Sequence, residues 1–273
     1  MQLALIRGFH HLAGTVAPHW TARRARVLFT HPRRGSRRPW EEAVLAKAER
    51  VTLDVGFRAL RWRPEGEPVG RVLCMHGWEG RATQFGTLAD ALVDAGYEVL
   101  ALDGPGHGES PEEQAHPVAF ARALMLVDQE LGPFDHVVGH SMGAGALVVA
   151  LSWGLRAERA VLLASPSSIE GVLGRFGTFI GLPDRCKGLL MDEMGALVGV
   201  HPEGLHIAAM ADGLVQTALV LHDPEDVEVP VEDGRAIAEH WPNARWEEVR
   251  GVGHRRILRD GATVERVVAF LRA

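Results

Sequence analysis

Short apolar runs alternate with amphipathic segments from about residue 71 to the end of the chain. Patterns typical of buried strands occupy 71–75, 97–102, 135–139, 159–164, 217–222 and 244–249. Helical patterns occupy 84–95, 117–131, 142–154, 231–241 and 262–272. This alternation predicts an α/β fold with a mostly parallel central sheet and helices on both faces. Residues 51–62 alternate in the manner of an antiparallel edge hairpin strand.

The first fifty residues stand apart as an N-terminal helical and basic extension, 1–50. A helical pattern covers 39–49, and the preceding stretch is rich in arginine, namely Arg23, Arg24, Arg26, Arg33, Arg34, Arg37 and Arg38. One interpretation is an arm that contacts a membrane surface or an anionic partner. We favour the other, an amphipathic helix packed on the body of the protein and followed by a solvated loop, because charge runs are usually solvated.

Composition narrows the class of protein. The chain has 273 residues, 47% of them hydrophobic and 23% charged, which suits one globular body with a full core. A net charge of -6 argues against general nucleic-acid binding. Two cysteines, Cys74 and Cys186, give no disulfide framework and fit a reducing, cytoplasmic location. Residues 1–6 are apolar, but Arg7 interrupts them, so we expect neither a signal peptide nor a membrane span.

The most informative motif is Gly139-His140-Ser141-Met142-Gly143. An apolar run precedes it and a small, apolar helical run, 144–151, follows it. Strand, sharp turn and helix form the arrangement that presents a nucleophilic serine at the end of a parallel sheet. The glycines suit a strained turn whose backbone passes close to its neighbours. This geometry also offers the backbone N–H of Met142 as an oxyanion donor.

A serine nucleophile needs a base and an acid, and both types of residue follow in the chain. His254 follows Gly251 and Gly253 in a late loop, after the last acidic loop and before the final helix. A serine hydroxyl is a weak nucleophile, so we expect His254 to accept its proton. Asp223, Glu225 and Asp226 compete as the carboxylate that orients this histidine.

Together with two upstream turns, these features resemble the α/β-hydrolase family over about residues 51–273. The turns are His76-Gly77-Trp78 after a strand, and the run from Asp103 to Gly108, which looks like a structural turn of the family. Asp226 heads an Asp-x-x-Val-Pro sequence that resembles the family's acid loop, so the resemblance favours Asp226 over Asp223. It also implies that the N–H of Trp78 is the second oxyanion donor.

The resemblance further implies a small helical cap, inserted at about 167–213, where no convincing strand is visible. Apolar residues of this insert are the candidate lining of the substrate pocket, namely Phe176, Phe179, Ile180, Met191 and Met194. We expect no cofactor, since there is no Walker A sequence or dinucleotide fingerprint, and no metal, since zinc motifs are absent.

The expected function is therefore a serine hydrolase that cleaves a small-molecule carboxylic ester or thioester, with short to medium acyl chains favoured. Alternatives are a C–C bond or amide hydrolase of the same fold, or a non-catalytic binding module. Binding modules of this fold usually have a damaged triad, and here Ser141, Asp226 and His254 are all present. We expect no nucleic-acid partner, and we do not favour a peripheral membrane contact through the basic N-terminus.

Overall fold

The structure is a computed structural model that describes residues 2–273, and the side chains of residues 4–273. The strands are β1 (Glu49–Thr52), β2 (Arg58–Trp62), β3 (Gly70–Met75), β4 (Tyr97–Asp103), β5 (His136–His140), β6 (Arg159–Leu163), β7 (Thr217–His222) and β8 (Ala244–Glu248). They form a single sheet in the order β1-β2-β4-β3-β5-β6-β7-β8. β1 pairs antiparallel with β2, and β2 with β4, while all other neighbours are parallel.

Twelve helices are present in the described residues. They are α1 (Gln2–Val16), α2 (Pro18–Thr30), α3 (Pro39–Lys47), α4 (Gly86–Asp94), α5 (Pro117–Leu131), α6 (Met142–Ser152), α7 (Ile169–Ile180), α8 (Asp184–Val198), α9 (Ile207–Met210), α10 (Val231–His240), α11 (Gly253–Arg256) and α12 (Gly261–Arg272). Three 3-10 turns lie at Ala82–Phe85, Pro202–Gly204 and Ala211–Gly213.

Alternate residues of each central strand face opposite sides of the sheet, as the pleat requires. In β3, Leu73 and Met75 join one buried cluster, which includes the apolar side chains of α5 and α6. Val72 and Cys74 join a second cluster, which includes those of α4 and α12. The predicted fold class, a mostly parallel sheet covered by helices on both faces, is confirmed.

The six predicted strands of the body occur within one or two residues of their expected bounds. The expected edge strand at 51–62 is instead two strands, β1 and β2, because the chain reverses around Gly56, whose φ of 94° suits glycine. Parallel pairing aligns Met75 of β3 with Gly139 of β5. The residues that follow these two strands therefore meet at one edge of the sheet.

The helical insert, residues 169–213, connects β6 to β7 and packs against the N-terminal helices. A Cβ on Gly14 of α1 would lie 2.8 Å from Pro183 and 2.9 Å from the sulfur of Cys186, so the backbones approach closely. Arg23 of α2 pairs with Glu193 of α8 at 3.1 Å. The insert and α1–α2 thus form one layer of helices. The division into an extension and a body at residue 50 stays a prediction.

The outer side of α1 is apolar and solvent-exposed. Leu5, Phe9, Leu12 and Val16 are exposed there by more than half of their surface. Within residues 2–273, no helix is both long enough and apolar enough to cross a bilayer.

Candidate active site

Ser141 lies at the sharp turn between β5 and α6 and has a φ of 53°, which non-glycine residues rarely adopt. The flanking glycines allow this turn. A Cβ on Gly143 would lie 2.3 Å from the carbonyl oxygens of Met75 and His76, and a Cβ on Gly139 would lie 2.5 Å from Ala144. The turn therefore needs glycine at both positions, which is the physical basis of the G-x-S-x-G pattern.

The structure brings the three expected triad side chains together. The Oγ atom of Ser141 lies 2.9 Å from Nε2 of His254, and Nδ1 of His254 lies 2.7 Å from Oδ2 of Asp226. An ionised carboxylate only accepts hydrogen bonds, so Nδ1 carries the proton and Nε2 is left to accept the serine hydroxyl proton. The arrangement is a hydrogen-bonded chain from hydroxyl to carboxylate, in the geometry of an activated nucleophile.

Asp226 is fully buried and has four donors. Its Oδ1 accepts the backbone N–H groups of Glu228, at 2.8 Å, and Val229, at 3.0 Å. Its Oδ2 lies 2.7 Å from His254 and 3.4 Å from Nε2 of His222. Burial alone would raise the pKa of Asp226, but the hydrogen bonds from His222 and His254 outweigh burial and hold this pKa below its ordinary value. The carboxylate thus stays ionised beside His254.

His222 is a partner of the acid that the sequence analysis missed. It ends β7 and is fully buried, and its Nε2–H also donates to the carbonyl oxygen of Val229 at 3.0 Å. This bond closes the acid loop on itself. In the sequence, only the position of His222 directly before Asp223 indicates that it lies near the acid. The chain has fourteen histidines, so such a position is weak evidence for any one of them.

Asp223, the competing acid, makes a different set of contacts. Its Oδ1 accepts the N–H of Glu225 at 2.9 Å, and its Oδ2 accepts the N–H of Gly253 at 2.5 Å. Burial would raise the pKa of Asp223, but the backbone donors, Gly253 first, lower it overall. Asp223 therefore fixes the loop that carries His254, and Glu225 is exposed to solvent.

The two expected oxyanion donors come from different parts of the chain. Met142 is the first residue of α6, and Trp78 follows the turn after β3. Neither backbone N–H has an acceptor among the described residues. A helix N-terminus carries unpaired N–H groups and a partial positive charge, so the Met142 amide suits a negatively charged oxygen.

Two neutral histidines fix the turn at residues 76–79, which carries the expected oxyanion donor Trp78 and is here called the oxyanion turn. Nε2 of His76 accepts the N–H of Gly104 at 2.9 Å, and Nε2 of His107 accepts the N–H of Glu79 at 2.9 Å. Burial lowers the pKa of His76 to about 4 and that of His107 to about 3. Both imidazoles are therefore neutral near pH 7 and act as hydrogen-bond acceptors between the two turns.

His140 contacts the backbone of His254, the expected base. Its Nε2–H donates to the backbone oxygen of His254 at 2.8 Å, and burial lowers its pKa to about 3. A neutral neighbour matters here, since a second cation would oppose formation of the imidazolium on His254.

The cavity at Ser141 is small, about 50 Å³. It is lined by Gly77, Trp78, Glu79, Gln84, His140, Ser141, Glu228, His254, Arg255 and Leu258. None of the five insert residues expected in the pocket is among them. Phe179 is 61% exposed, whereas Ile180 and Met194 are buried in the core. Phe176 and Met191 pack against that core.

The physical reason is that α2 lies between the insert and the site. Phe29 of α2 stacks on the Trp78 indole with ring centroids 5.1 Å apart, and Phe176 of the insert contacts Phe29 edge-on, also at 5.1 Å. Phe176 of the insert therefore contacts Phe29, which in turn packs on Trp78. Sequence analysis could not show this, because no local pattern encodes the docking of α2.

The loop after α2 also contacts the oxyanion turn. Arg33 forms a two-pronged ion pair with Glu79, at 2.8 Å and 3.1 Å. The hydrogen bond from Arg33 is the main reason that the pKa of Glu79 lies below its ordinary value. Glu79 has a φ of 53°, so its backbone is held in a left-handed conformation next to Trp78. The basic segment thus takes part in shaping the cavity.

Among the side chains of residues 4–273, no group of three His, Cys, Asp or Glu is placed to hold a metal ion.

Comparison with known proteins supports the same family. Residues 66–177 match the family model described as serine aminopeptidase, S33. A serine hydrolase-like protein of Dictyostelium discoideum is 30% identical over 128 residues, which cover 43% of this chain and 35% of that protein. A monoacylglycerol lipase of Mycolicibacterium smegmatis is 25% identical over 227 residues, covering 65% of this chain and 78% of the lipase. The chain spans less than half the length of the curated relatives that it matches at 30% identity or more.

Solved structures show the same fold. An esterase from Exiguobacterium antarcticum superposes with a TM-score of 0.62 at 15% identity, covering 82% of this chain and 99% of the esterase. The sheet order, the turn at Ser141 and these similarities agree. The chain has the α/β-hydrolase fold, and its residues 66–177 are similar to the serine aminopeptidase, S33, family.

Proposed function

We propose that this protein cleaves carboxylic esters or thioesters through a covalent acyl-enzyme on Ser141. The observation that carries the proposal is the continuous hydrogen-bonded chain from Ser141 through His254 to Asp226, which opens onto a small cavity. A hydroxyl paired with a base that is itself oriented by a buried carboxylate is the arrangement that activates serine at neutral pH.

In the acylation step, Oγ of Ser141 attacks the substrate carbonyl carbon while Nε2 of His254 takes the hydroxyl proton. The carbonyl oxygen becomes negatively charged, and the free N–H groups of Trp78 and Met142 are the donors that stabilise it. The intermediate then collapses, the bond to the alcohol or thiol breaks, and His254 gives its proton to the leaving group. Asp226 stabilises the transient imidazolium throughout.

In the deacylation step, water enters the position of the departed alcohol and His254 removes one of its protons. The hydroxide attacks the acyl carbon, and the same two N–H groups stabilise the second oxyanion. Collapse releases the carboxylic acid and returns the proton to Oγ of Ser141. The ester substrate, one water molecule and the side chains named here balance both steps.

The size of the cavity supports short to medium acyl groups. About 50 Å³ is available beside Ser141, and the indole of Trp78 and the buried side chain of Leu258 are among the groups that bound it. Each methylene that enters apolar surroundings contributes about 0.8 kcal/mol. The gain ends where the cavity is full, because further atoms must displace well-packed neighbours.

The proposal is tested by labelling with a fluorophosphonate, which reacts with activated serines, alongside hydrolysis of 4-nitrophenyl butyrate. We expect wild type to react in both assays. Ser141→Ala should lose labelling and reduce turnover on the order of a millionfold. Ser152→Ala, which removes a hydroxyl from the far end of α6, is the matched control and should behave as wild type.

Hydrolysis by Ser141→Ala within about tenfold of wild type would refute the assignment. A folded wild type that neither labels nor hydrolyses any ester would instead support the alternative of a non-catalytic binding module. Circular dichroism of each variant confirms that loss of reaction is not loss of folding.

A further inference from the structure

A second cavity of about 380 Å³ adjoins the small cavity at Ser141. The two share four lining residues, which are Glu79, Gln84, Arg255 and Leu258. The larger cavity, here called the arginine groove, runs between the loop after α2, the start of α3, the segment 79–84 and α11 with the residues after it. The groove therefore borders the cavity at Ser141.

The groove is strongly cationic. Five arginines line it, against two acids, Glu41 and Glu79. The five are Arg33, Arg38, Arg81, Arg255 and Arg259. The excess of three positive charges contrasts with the net charge of -6 for the whole chain. Positive charge concentrated in a concave site of an acidic protein focuses the field on that site and attracts anions.

Three of these arginines are already paired with carboxylates. Arg33 binds Glu79, Arg81 lies 3.6 Å from Glu41, and Arg255 binds Glu228. Their charges are largely compensated, and their contacts fix the walls of the groove. Glu41 is itself buried and accepts the hydroxyl of Thr83 at 2.5 Å.

The guanidinium groups of the remaining two, Arg38 and Arg259, form no ion pair with a carboxylate in the described part of the chain, although the backbone N–H of Arg38 donates to Glu41. Both are exposed, and their charges face the groove without compensation. The guanidinium of Arg259 lies 4.9 Å from the centre of the Trp40 ring. Stacking on an aromatic face orients a guanidinium and leaves its N–H donors free at the edge.

We propose that the arginine groove binds a negatively charged group of the ester substrate, a carboxylate or a phosphate, with Arg38 and Arg259 as the main ligands. A guanidinium group can donate two parallel hydrogen bonds to two oxygens of a carboxylate or a phosphate. This inference rests on the proposed function, because it names the substrate class for the same site. It specifies an ester whose acyl or alcohol half ends in an anion.

The test compares kcat/KM for matched anionic and neutral esters. One pair carries the charge on the acyl half, 4-nitrophenyl hemiadipate against 4-nitrophenyl hexanoate. The other pair carries it on the alcohol half, 3-carboxyphenyl butyrate against 3-carbamoylphenyl butyrate. We expect wild type to favour the anionic member of one pair by about tenfold, which identifies the half that enters the groove.

Arg38→Gln and Arg259→Gln remove one uncompensated charge each. We expect each to reduce the anionic-to-neutral ratio of kcat/KM by about threefold, within the range for an exposed ion pair, and the double variant to abolish the preference. Arg245→Gln, which removes an exposed charge from the edge strand β8, is the control and should keep the wild-type ratio. The preference should also fall as salt is raised from about 0.01 M to about 1 M, where charges are screened within about 3 Å.

A wild type that hydrolyses neutral and anionic esters equally well in both pairs would overturn the groove proposal while leaving the proposed function intact. A preference that persists in the Arg38→Gln/Arg259→Gln double variant would overturn it as well. If wild type cleaves no ester, the proposed function fails, and the groove is then tested by calorimetric titration of 3-carboxyphenyl butyrate. The two proteins compared are Ser141→Ala and the triple variant Ser141→Ala/Arg38→Gln/Arg259→Gln. Binding by the first that is lost in the second supports the groove proposal, and equal binding by both refutes it.

Discussion

Acid should destabilise this protein well above the pH at which its carboxylates protonate, because three neutral histidines are buried around Ser141. His76, His107 and His140 are each at most 4% exposed, and each donates to a backbone oxygen through one ring nitrogen. Burial is the largest cause of their lowered pKa values, about 4 for His76 and about 3 for the other two.

The direction of the effect follows from linkage. In the unfolded chain these imidazoles have the ordinary pKa near 6.5 and bind protons first as the pH falls. The folded protein resists protonation until the pH approaches 4 or 3. The stabilisation is therefore complete above pH 6.5 and is lost as the pH falls from 6.5 towards these folded values.

Between pH 7 and pH 5, protonation stabilises the unfolded state by about 2 kcal/mol for each of the three histidines, or about 6 kcal/mol in all. Asp103 acts in the opposite direction, since burial raises its pKa to about 6. The folded protein takes up a proton on Asp103 above pH 5, and this uptake stabilises the folded state by about 1 kcal/mol. The net loss from these four groups is about 5 kcal/mol, which is comparable to the whole stability of many domains. His116, whose pKa burial also lowers to about 4, adds to this loss.

The assay is urea unfolding followed by tryptophan fluorescence at pH 7, 6 and 5. We expect the free energy of unfolding to fall by about 5 kcal/mol between pH 7 and pH 5, with most of the loss below pH 6.5. A free energy that is constant within about 1 kcal/mol over this range would refute the reasoning. It would mean that water reaches these imidazoles or that they protonate without unfolding.

Three further predictions concern the site. Asp226→Asn should reduce kcat/KM by roughly four orders of magnitude, because an amide favours the wrong tautomer of the base; Asp223→Asn should do far less damage, and the reverse ranking would reassign the acid. Gly143→Ala should lower the melting temperature by more than about 10 °C, because its Cβ would lie 2.3 Å from two carbonyl oxygens. The control Gly174→Ala, whose Cβ would have nothing within 4 Å, should not lower the melting temperature, and calorimetry measures both. In a 4-nitrophenyl ester series, kcat/KM should rise by about fourfold per methylene and then fall, whereas a continued rise through long-chain emulsions would contradict the small cavity.

Most of the fold could be predicted from the sequence because its signals are local. The strands β3 to β7 contain short apolar runs, and the helices between the strands are amphipathic or, in α6, apolar throughout, so the bounds of these elements follow from local patterns. The positions of Ser141 and His254 relative to the sheet follow from the same local order, since each lies directly after a strand or in the loop beyond it. The structure accordingly brings these two side chains to 2.9 Å.

The rest of the site depends on tertiary packing and could not be predicted in the same way. The loop at 31–38 has no secondary structure and no periodic pattern, yet Arg33 binds Glu79, 46 residues away. Phe29 similarly packs on Trp78, which lines the cavity at Ser141, whereas none of the insert residues expected to line that cavity does so. Arginine runs are usually solvated, so composition alone gave no reason to place Arg38 near a catalytic cavity.

The measurement that tests the central claim most directly is detection of the acyl-enzyme. Wild-type protein is mixed with 4-nitrophenyl butyrate, quenched in acid within milliseconds and analysed by intact and peptide mass spectrometry. We expect a burst of 4-nitrophenol equal to the enzyme concentration and a butyryl group on the peptide that contains Ser141. Sustained turnover with no acyl group on Ser141, or with the acyl group on another residue, would contradict the account.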